Sequence, residues 1–381
     1  MVLRSKLPNV GTTIFTVMSK LAADHGAINL SQGFPDFDGP RELLDRVAFH
    51  LNHGRNQYAP MAGVPELREQ IAGKVASLYG HRADPDTEVT VTAGATEAIF
   101  CAVTAVVRPG DEVVVLDPAY DSYEPAVTLA GGVTRHVPMP GPEFTPDWDQ
   151  VRDAVTDRTR LLIVNSPHNP TGAVWSRADV DALWDVVRNR DVFVVSDEVY
   201  EHILFDGVRH ESLLRHAELA ARSFVVSSFG KTYHVTGWKI GYCVAPPTLT
   251  AELRRVHQYV TFVANTPVQL GLADFMASAP AYAQQLGGFY QQKRDLLLRC
   301  LRGSRFGIRP AAGTYFQLLD YSEVSNERDV DLARRLTMEH RIASIPVSPF
   351  YGSEPESRVL RFCFAKNDAT LERAAEILCR L

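Results

Sequence analysis

At 381 residues the chain exceeds the usual size of one compact domain, so two lobes, or a large and a small domain, are expected. Its 45% apolar and 22% charged composition is that of a globular protein with material for a full core, and its net charge of −6 argues against nucleic acid as a partner, because phosphate backbones need a basic surface. The longest apolar run near the front, AIFCAVTAVV (98–107), is about half of the ~20 residues needed to span a bilayer, and MVLRSKLPNVGTTIF carries no apolar signal core. A cytoplasmic protein with no membrane partner is therefore expected. Cysteines 101, 243, 300, 363 and 379 are scattered and odd in number, with no CxxC and no Cys/His set at zinc-ligand spacing, so reduced thiols and no metal are expected.

The opening 45 residues hold no convincing run of parallel strand and read as an arm joined to the smaller lobe. From there, short runs rich in Val, Ile and Phe, bounded by Asp, Gly and Pro, predict strands buried on both faces: 88–94, 111–117, 160–167, 192–200, 223–230 and 239–246. Helix-like segments lie between most of them. TEAIFCAVTAVV (96–107) is one, and SRADVDALWDVVRNR (176–190), with Ser176 as its N-cap, is another. Buried strands alternating with helices predict an α/β fold with a mainly parallel sheet. The runs 223–230 and 239–246 are too close for a helical crossover, which predicts one antiparallel strand there. TPVQLGLADFMAS and AYAQQLGGFYQQKRDLLLRCLRG read as long helices. Beyond about residue 280 come short strands, GTYFQLLD (313–320) and VLRFCFAK (359–366), with helices between, as in an α+β subdomain. The division is 46–284 for the large domain and 1–45 with 285–381 for the arm and small domain.

Three stretches carry the chemistry: NSPHNPTG (165–172), SDEVY (196–200) and SSFGKTYHVTGWKIGY (227–242). Together they supply the groups that hold and use pyridoxal 5′-phosphate, an aldehyde that needs a lysine partner and a tuned electron sink. Lys231 follows an apolar strand, so its stem rises from the sheet edge where open α/β sheets bind ligands, and a cationic, half-buried site would lower its pKa. Gly230, Gly237 and Gly241 suggest tight packing around it. Gly230-Lys231-Thr232 also resembles the end of a phosphate-binding P-loop, but Val225 stands where that motif needs glycine. Asp197 ends a buried strand, where a carboxylate is costly unless it meets a cation such as a protonated pyridine nitrogen. Tyr200 and Asn169 are candidates for the phenolic oxygen, although Asn before Pro is by itself an ordinary turn former and a lone Tyr an ordinary core residue. Gly94-Ala95-Thr96 opens a helix whose free amides suit phosphate, and Ser228 and Lys239 suit the same anion. Arg361, in an apolar strand, fits an α-carboxylate or a structural ion pair.

Over nearly its whole length the chain resembles the class I aminotransferases of PLP fold type I. The resemblance is strongest to the group with methionine aminotransferases and kynurenine aminotransferase (glutamine transaminase K). SQGFPDF (31–37), NQYAPMAG (56–63), TAGATEA (92–98), DPAYDSY (117–123), IPVSPFYG (345–352) and RFCFAK match in order with the three stretches above. The resemblance implies a seven-stranded, mainly parallel sheet, a homodimer, and defined roles. Lys231 would be the Schiff-base lysine and proton shuttle, and Asp197 would pair with the pyridine nitrogen. Tyr200 and Asn169 would bind the phenolic oxygen, and Tyr120 would stack on the ring. Ala95, Thr96, Ser228 and Lys239 would hold the phosphate, joined by Tyr58 from a second subunit. Arg361, Asn169 and the Gly33 amide would hold the substrate carboxylate, with Phe15 lining the side-chain pocket beside Phe34, Phe262, Phe350 and Tyr351. Many class I enzymes carry arginine where this chain has Lys239. The implied donors are methionine, phenylalanine, tyrosine and kynurenine, passed to a 2-oxo acid. The alternatives are an N-succinyl-diaminopimelate aminotransferase, a carbon–sulfur β-lyase, and a PLP-sensing regulator. The last is disfavoured because SQGFPDF is reached by residue 31, leaving no room for a DNA-binding domain ahead of it.

Overall fold

The computed structural model describes residues 4–353, 355 and 358–381. Its centre is a seven-stranded sheet. In chain order the strands are β1 (Val89–Thr92), β2 (Glu112–Asp117), β3 (Val133–Pro138), β4 (Thr159–Asn165), β5 (Phe193–Asp197), β6 (Ser223–Ser228) and β7 (Gly241–Val244). Their order across the sheet is β1-β7-β6-β5-β4-β2-β3. Strand β7 runs antiparallel to β1 and β6, and the remaining pairings are parallel.

The sheet is buried on both faces, and the period-2 side-chain alternation divides its residues between two cores. Val114, Leu116, Leu162, Val164, Val194 and Val225 face one core. Val113, Val115, Leu161, Ile163, Val195, Phe224 and Val226 face the other, which packs on the helix Ala95–Val106. The expected helix after Ser176 is Arg177–Val187, and Ser176 caps it with a reciprocal Asp179 bond. Strand β3 was not expected. It lies at the sheet's edge, its first residue is exposed and only Val137 is buried, so it lacks the apolar run that marks its neighbours.

Two smaller sheets complete the fold. Ile345–Pro346, Val359–Cys363, Phe316–Asp320 and Gly307–Ile308 form an antiparallel sheet in that order. Ile28–Asn29 pairs in parallel with Ile342–Ala343, which corrects the expectation that the opening segment has no parallel strand. Two residues are too few to leave a pattern in sequence. The opening segment also forms the helix Ile14–His25, capped by Thr13. No helix among the described residues is long and apolar enough to cross a membrane. The cysteines are all free.

Candidate active site

The sheet topology gathers the candidate residues. Parallel neighbours β4, β5 and β6 end at Asn165, Asp197 and Ser228, so these three side chains stand on one carboxyl edge. Because β7 is antiparallel, it begins at the edge where its neighbours end. Gly241 pairs with both Ser228 and Thr92, which brings Lys239 and the turn Ala93–Thr96 to the same place. Strand β2 ends nearby and delivers Tyr120. A cavity of about 150 Å³ results, lined by Gly94, Ala95, Thr96, Tyr120, Asn165, Asn169, Asp197, Tyr200, Ser228, Lys231 and Lys239 among others.

Each group has a local reason for its pose. Lys231 lies in a one-turn helix, Phe229–Thr232, directly after β6. Its ammonium donates to the Gly33 carbonyl at 3.1 Å and to the Tyr315 hydroxyl at 3.0 Å. Burial lowers its pKa to about 8, and the nearby Arg361 and Lys239 charges act in the same direction. Asp197 is 5% exposed and has no ion-pair partner among the described residues. Its carboxylate accepts from the Tyr123 hydroxyl at 2.7 Å, and burial raises its pKa to about 6. Asn165 locks the edge, donating to the Asp197 carbonyl at 2.7 Å and accepting from the Asn169 amide at 2.8 Å. Tyr200 is buried, and that burial pushes its phenol far above the ordinary value.

At the helix Ala95–Val106, Gly94 is the N-cap with φ 83°, a conformation natural only to glycine, and the amides behind it are open. Lys239 is itself held in a left-handed conformation at φ 50°, and its ammonium lies 3.6 Å from where a Cβ on Gly94 would sit. Gly241 allows the close approach, since a Cβ there would lie 2.6 Å from the Ser227 carbonyl and 2.9 Å from the Ala95 nitrogen. Gly230 is similarly tight, 3.0 Å from Thr236. Gly237 is not: a Cβ there would meet open space, which corrects the expectation of packing at all three glycines.

Arg361 is fully buried, yet it pairs with no carboxylate among the described residues. It donates to Asn169 Oδ1 and to the Ser31 carbonyl, both at 2.7 Å, while its Nε has no partner. Its guanidinium lies 5.0 Å from the Phe15 ring, which is tilted against Tyr120 and Phe350 at 6.3 and 5.5 Å. Gly33 is pressed against Phe316, where a Cβ would come within 2.8 Å. Tyr58 stands apart, 85% exposed and edge-on to Phe262 at 5.5 Å. Neither lines the cavity. Phe34 is also exposed, with its ring 4.7 Å from the Lys366 ammonium. Tyr123, Asn165 and Tyr315 were not singled out from sequence, although each sits inside a motif that was: DPAYDSY, NSPHNPTG and GTYFQLLD.

A lysine of lowered pKa, a buried carboxylate without a cation and an ammonium over open helix amides define a site for a cationic ring bearing an aldehyde and an anionic tail. The family model for aminotransferases of class I and II matches residues 25–378, and the chain belongs to that family. It is 54% identical to a methionine aminotransferase of Escherichia coli, over 99% of this chain and 98% of that protein. A probable N-succinyldiaminopimelate aminotransferase of Mycobacterium tuberculosis is 39% identical, over 97% and 96%. A kynurenine–oxoglutarate transaminase of Dictyostelium discoideum is 33% identical, over 97% and 94%. Among solved structures, the Escherichia coli protein with a methionine aminotransferase function superposes with a TM-score of 0.98, at 54% identity and full coverage of both chains.

The protein is thus an aminotransferase of PLP fold type I, and its family uses pyridoxal 5′-phosphate. The residues present fit that group. Asp197 has no ion-pair partner among the described residues to offset its burial, and a pyridinium would supply one. The α-helix amides behind Gly94 and the Lys239 ammonium converge on the cavity, as a phosphate requires.

Proposed function

We propose that the protein transfers the amino group of a hydrophobic, thioether or aromatic amino acid, with methionine foremost, to a 2-oxo acid. The observation that carries this reading is Arg361, a buried guanidinium with a free Nε beside an aromatic wall of Phe15, Tyr120 and Phe350. One end of that arrangement suits an α-carboxylate and the other an apolar side chain. A cavity of about 310 Å³ shares Tyr120 and Phe350 with it and is lined by Asp121, Glu124 and His136, with no arginine or lysine among the described residues. Burial raises the pKa of Asp121, so this wall resists a second carboxylate. The 54% identity with a methionine aminotransferase supports the same donor class.

Lys231 would hold the cofactor covalently, and Asp197, fixed by Tyr123, would pair with its ring nitrogen. Tyr200 and the Asn169 amide face the phenolic oxygen. Asn169 is suited to this because Arg361 already occupies its carbonyl. Tyr120, which lines the cavity, would stack on the ring. Ala95, Thr96, Ser228 and Lys239 take the phosphate, joined by Tyr58 of a second copy. Arg361, Asn169 and the Gly33 amide bind the substrate carboxylate, and Phe15 lines its side chain. The bound cofactor supplies an aldehyde carbon that captures amines and a ring that takes up an electron pair. Lys231, once its amine is free, would be the base that takes the α proton and later gives it back to complete the transfer. The low pKa suits this task, because near neutral pH an appreciable share of the amine is unprotonated.

The active unit is proposed to be a cytoplasmic homodimer, which would give the exposed Tyr58 a surface to meet. Residues 46–284 are proposed as the cofactor domain, with 1–45 and 285–381 as the arm and small domain. The test is kcat/KM for methionine and phenylalanine against aspartate and N-succinyl-diaminopimelate. The first pair should win by tenfold or more, about 1.4 kcal/mol in transition-state terms. A reversed order assigns the pocket to a dicarboxylate donor. Elimination of thiol outpacing transfer would make the protein a β-lyase.

A further inference from the structure

Lys231 is the group that moves the proton in the reading above, and what holds its amine when it is free of the cofactor decides how well it does so. Two acceptors reach Nζ: the Gly33 carbonyl at 3.1 Å and the Tyr315 hydroxyl oxygen at 3.0 Å. Tyr315 in turn donates its own proton to the Gly33 carbonyl at 2.6 Å. It is fully buried, and its hydroxyl also lies against that of Tyr200. Its pose is over-determined. It precedes the strand Phe316–Asp320, follows Thr314 at φ 64°, and its ring packs edge-on against Tyr200 and Phe316 at 5.1 and 5.0 Å.

Hydrogen-bond accounting gives this triangle a function. A neutral amine carries two N–H donors and one lone pair. With the Tyr315 proton committed to Gly33, the phenol oxygen faces Nζ as an acceptor. The two N–H donors are then taken by Gly33 and Tyr315, and the lone pair is the one position left, on an atom that lines the cofactor cavity. We propose that Tyr315 is a positioning residue, whose hydroxyl oxygen, with the Gly33 carbonyl, orients the free Lys231 amine so that its lone pair points at the substrate α carbon. This rests on Lys231 being the cofactor lysine. In the step itself the α C–H bond breaks, its electron pair stays with the substrate, and the proton forms a third N–H bond on Nζ. The ammonium so formed keeps both acceptors, and bonds to a charged donor are stronger than those to a neutral one. Tyr315 therefore stabilises the developing ammonium more than the neutral amine, which lowers the barrier to proton removal.

The test is Tyr315→Phe, which keeps the ring packing and removes one oxygen. Tyr290→Phe is the control, because Tyr290 is equally buried and packs on Tyr315 at 5.5 Å but its hydroxyl shares a hydrogen bond with His234 Nδ1. Borohydride reduction and peptide mapping come first. Label on Lys231 in both variants upholds the underlying assignment, and label elsewhere ends both proposals. With methionine in a single half-reaction, Tyr315→Phe should slow cofactor conversion by about 10- to 100-fold, the worth of one bond to a charged donor. Deuterium at the donor's α carbon should then slow it further than it slows the wild type. In the apoenzyme, the pH at which added pyridoxal phosphate is captured half-maximally should fall, because losing an acceptor disfavours the ammonium. Tyr290→Phe should stay within twofold of wild type in each measurement. If Lys231 is labelled while rate, isotope effect and capture profile in Tyr315→Phe match the wild type, or if Tyr290→Phe shows the same changes, Tyr315 is a packing residue only.

Discussion

Replacing Asp197 with asparagine should move stability and activity in opposite directions. In the apoenzyme the carboxylate is buried with no ion-pair partner among the described residues, and burial raises its pKa from the ordinary 3.8 to about 6. A shift of that size corresponds to about 3 kcal/mol opposing the ionised form. The sign follows from linkage. Between the unfolded and folded pKa values the folded state binds the extra proton, so the contribution of Asp197 to wild-type stability is greatest below about pH 4 and declines as pH rises through about 6. Asparagine resembles the protonated carboxyl and does not titrate. Asp197→Asn apoenzyme should therefore be more stable than wild type by about 1–3 kcal/mol at pH 7.5. That advantage should vanish toward pH 4. With cofactor bound the account reverses, since the lost charge is the one that faces the ring nitrogen. Turnover should fall by about 10³ or more, the scale of other preorganised electrostatic groups. Urea unfolding of the apoproteins at several pH values, with stopped-flow half-reactions on the loaded enzymes, measures both. An apo variant less stable than wild type at pH 7.5, or turnover within threefold, refutes the reasoning.

Further outcomes follow from the same geometry. Lys231→Ala should abolish turnover and borohydride fixation of the cofactor while leaving the fold intact; covalent cofactor in that variant would displace Lys231 from its role. Gly241→Ala places a Cβ 2.6 Å from the Ser227 carbonyl and 2.9 Å from the Ala95 nitrogen. It should cost about 1–3 kcal/mol in urea unfolding and weaken cofactor binding, and an unchanged urea midpoint would show that the backbone there yields freely. Sedimentation of the holoenzyme should give a dimer, and Tyr58→Phe should raise the cofactor dissociation constant by about tenfold, as expected for one charge-assisted bond. A fully active monomer contradicts the shared site.

Much of the site was legible because its residues fall where chain direction forces them. Asp197 and Ser228 each end an apolar run, and in a parallel sheet the ends of adjacent strands share one edge. Lys231 was legible from its position just past such an end. The less visible parts were those whose role depends on what lies across the fold. Tyr123 is one tyrosine among thirteen until its hydroxyl is found 2.7 Å from Asp197, 74 residues away. Tyr315 meets Lys231 across 84 residues. Strand β3 was missed because an edge strand need not be apolar on both faces. Gly237 was misread because a glycine leaves no sign in sequence of whether space or close contact surrounds it.

The sequence by itself determined the fold class, the order of the chemical groups and the family, since these rest on hydrophobic period, chain direction and residue type, all written locally. Only the tertiary structure decided which groups are paired and which are left unpaired. Asp197 without a cation, Arg361 with a free Nε, and Lys231 held by Gly33 and Tyr315 are facts about burial and distance between segments remote in sequence. Desolvation, which sets the pKa of Lys231 and of Asp197, is a property of everything packed around a side chain and so has no local signature.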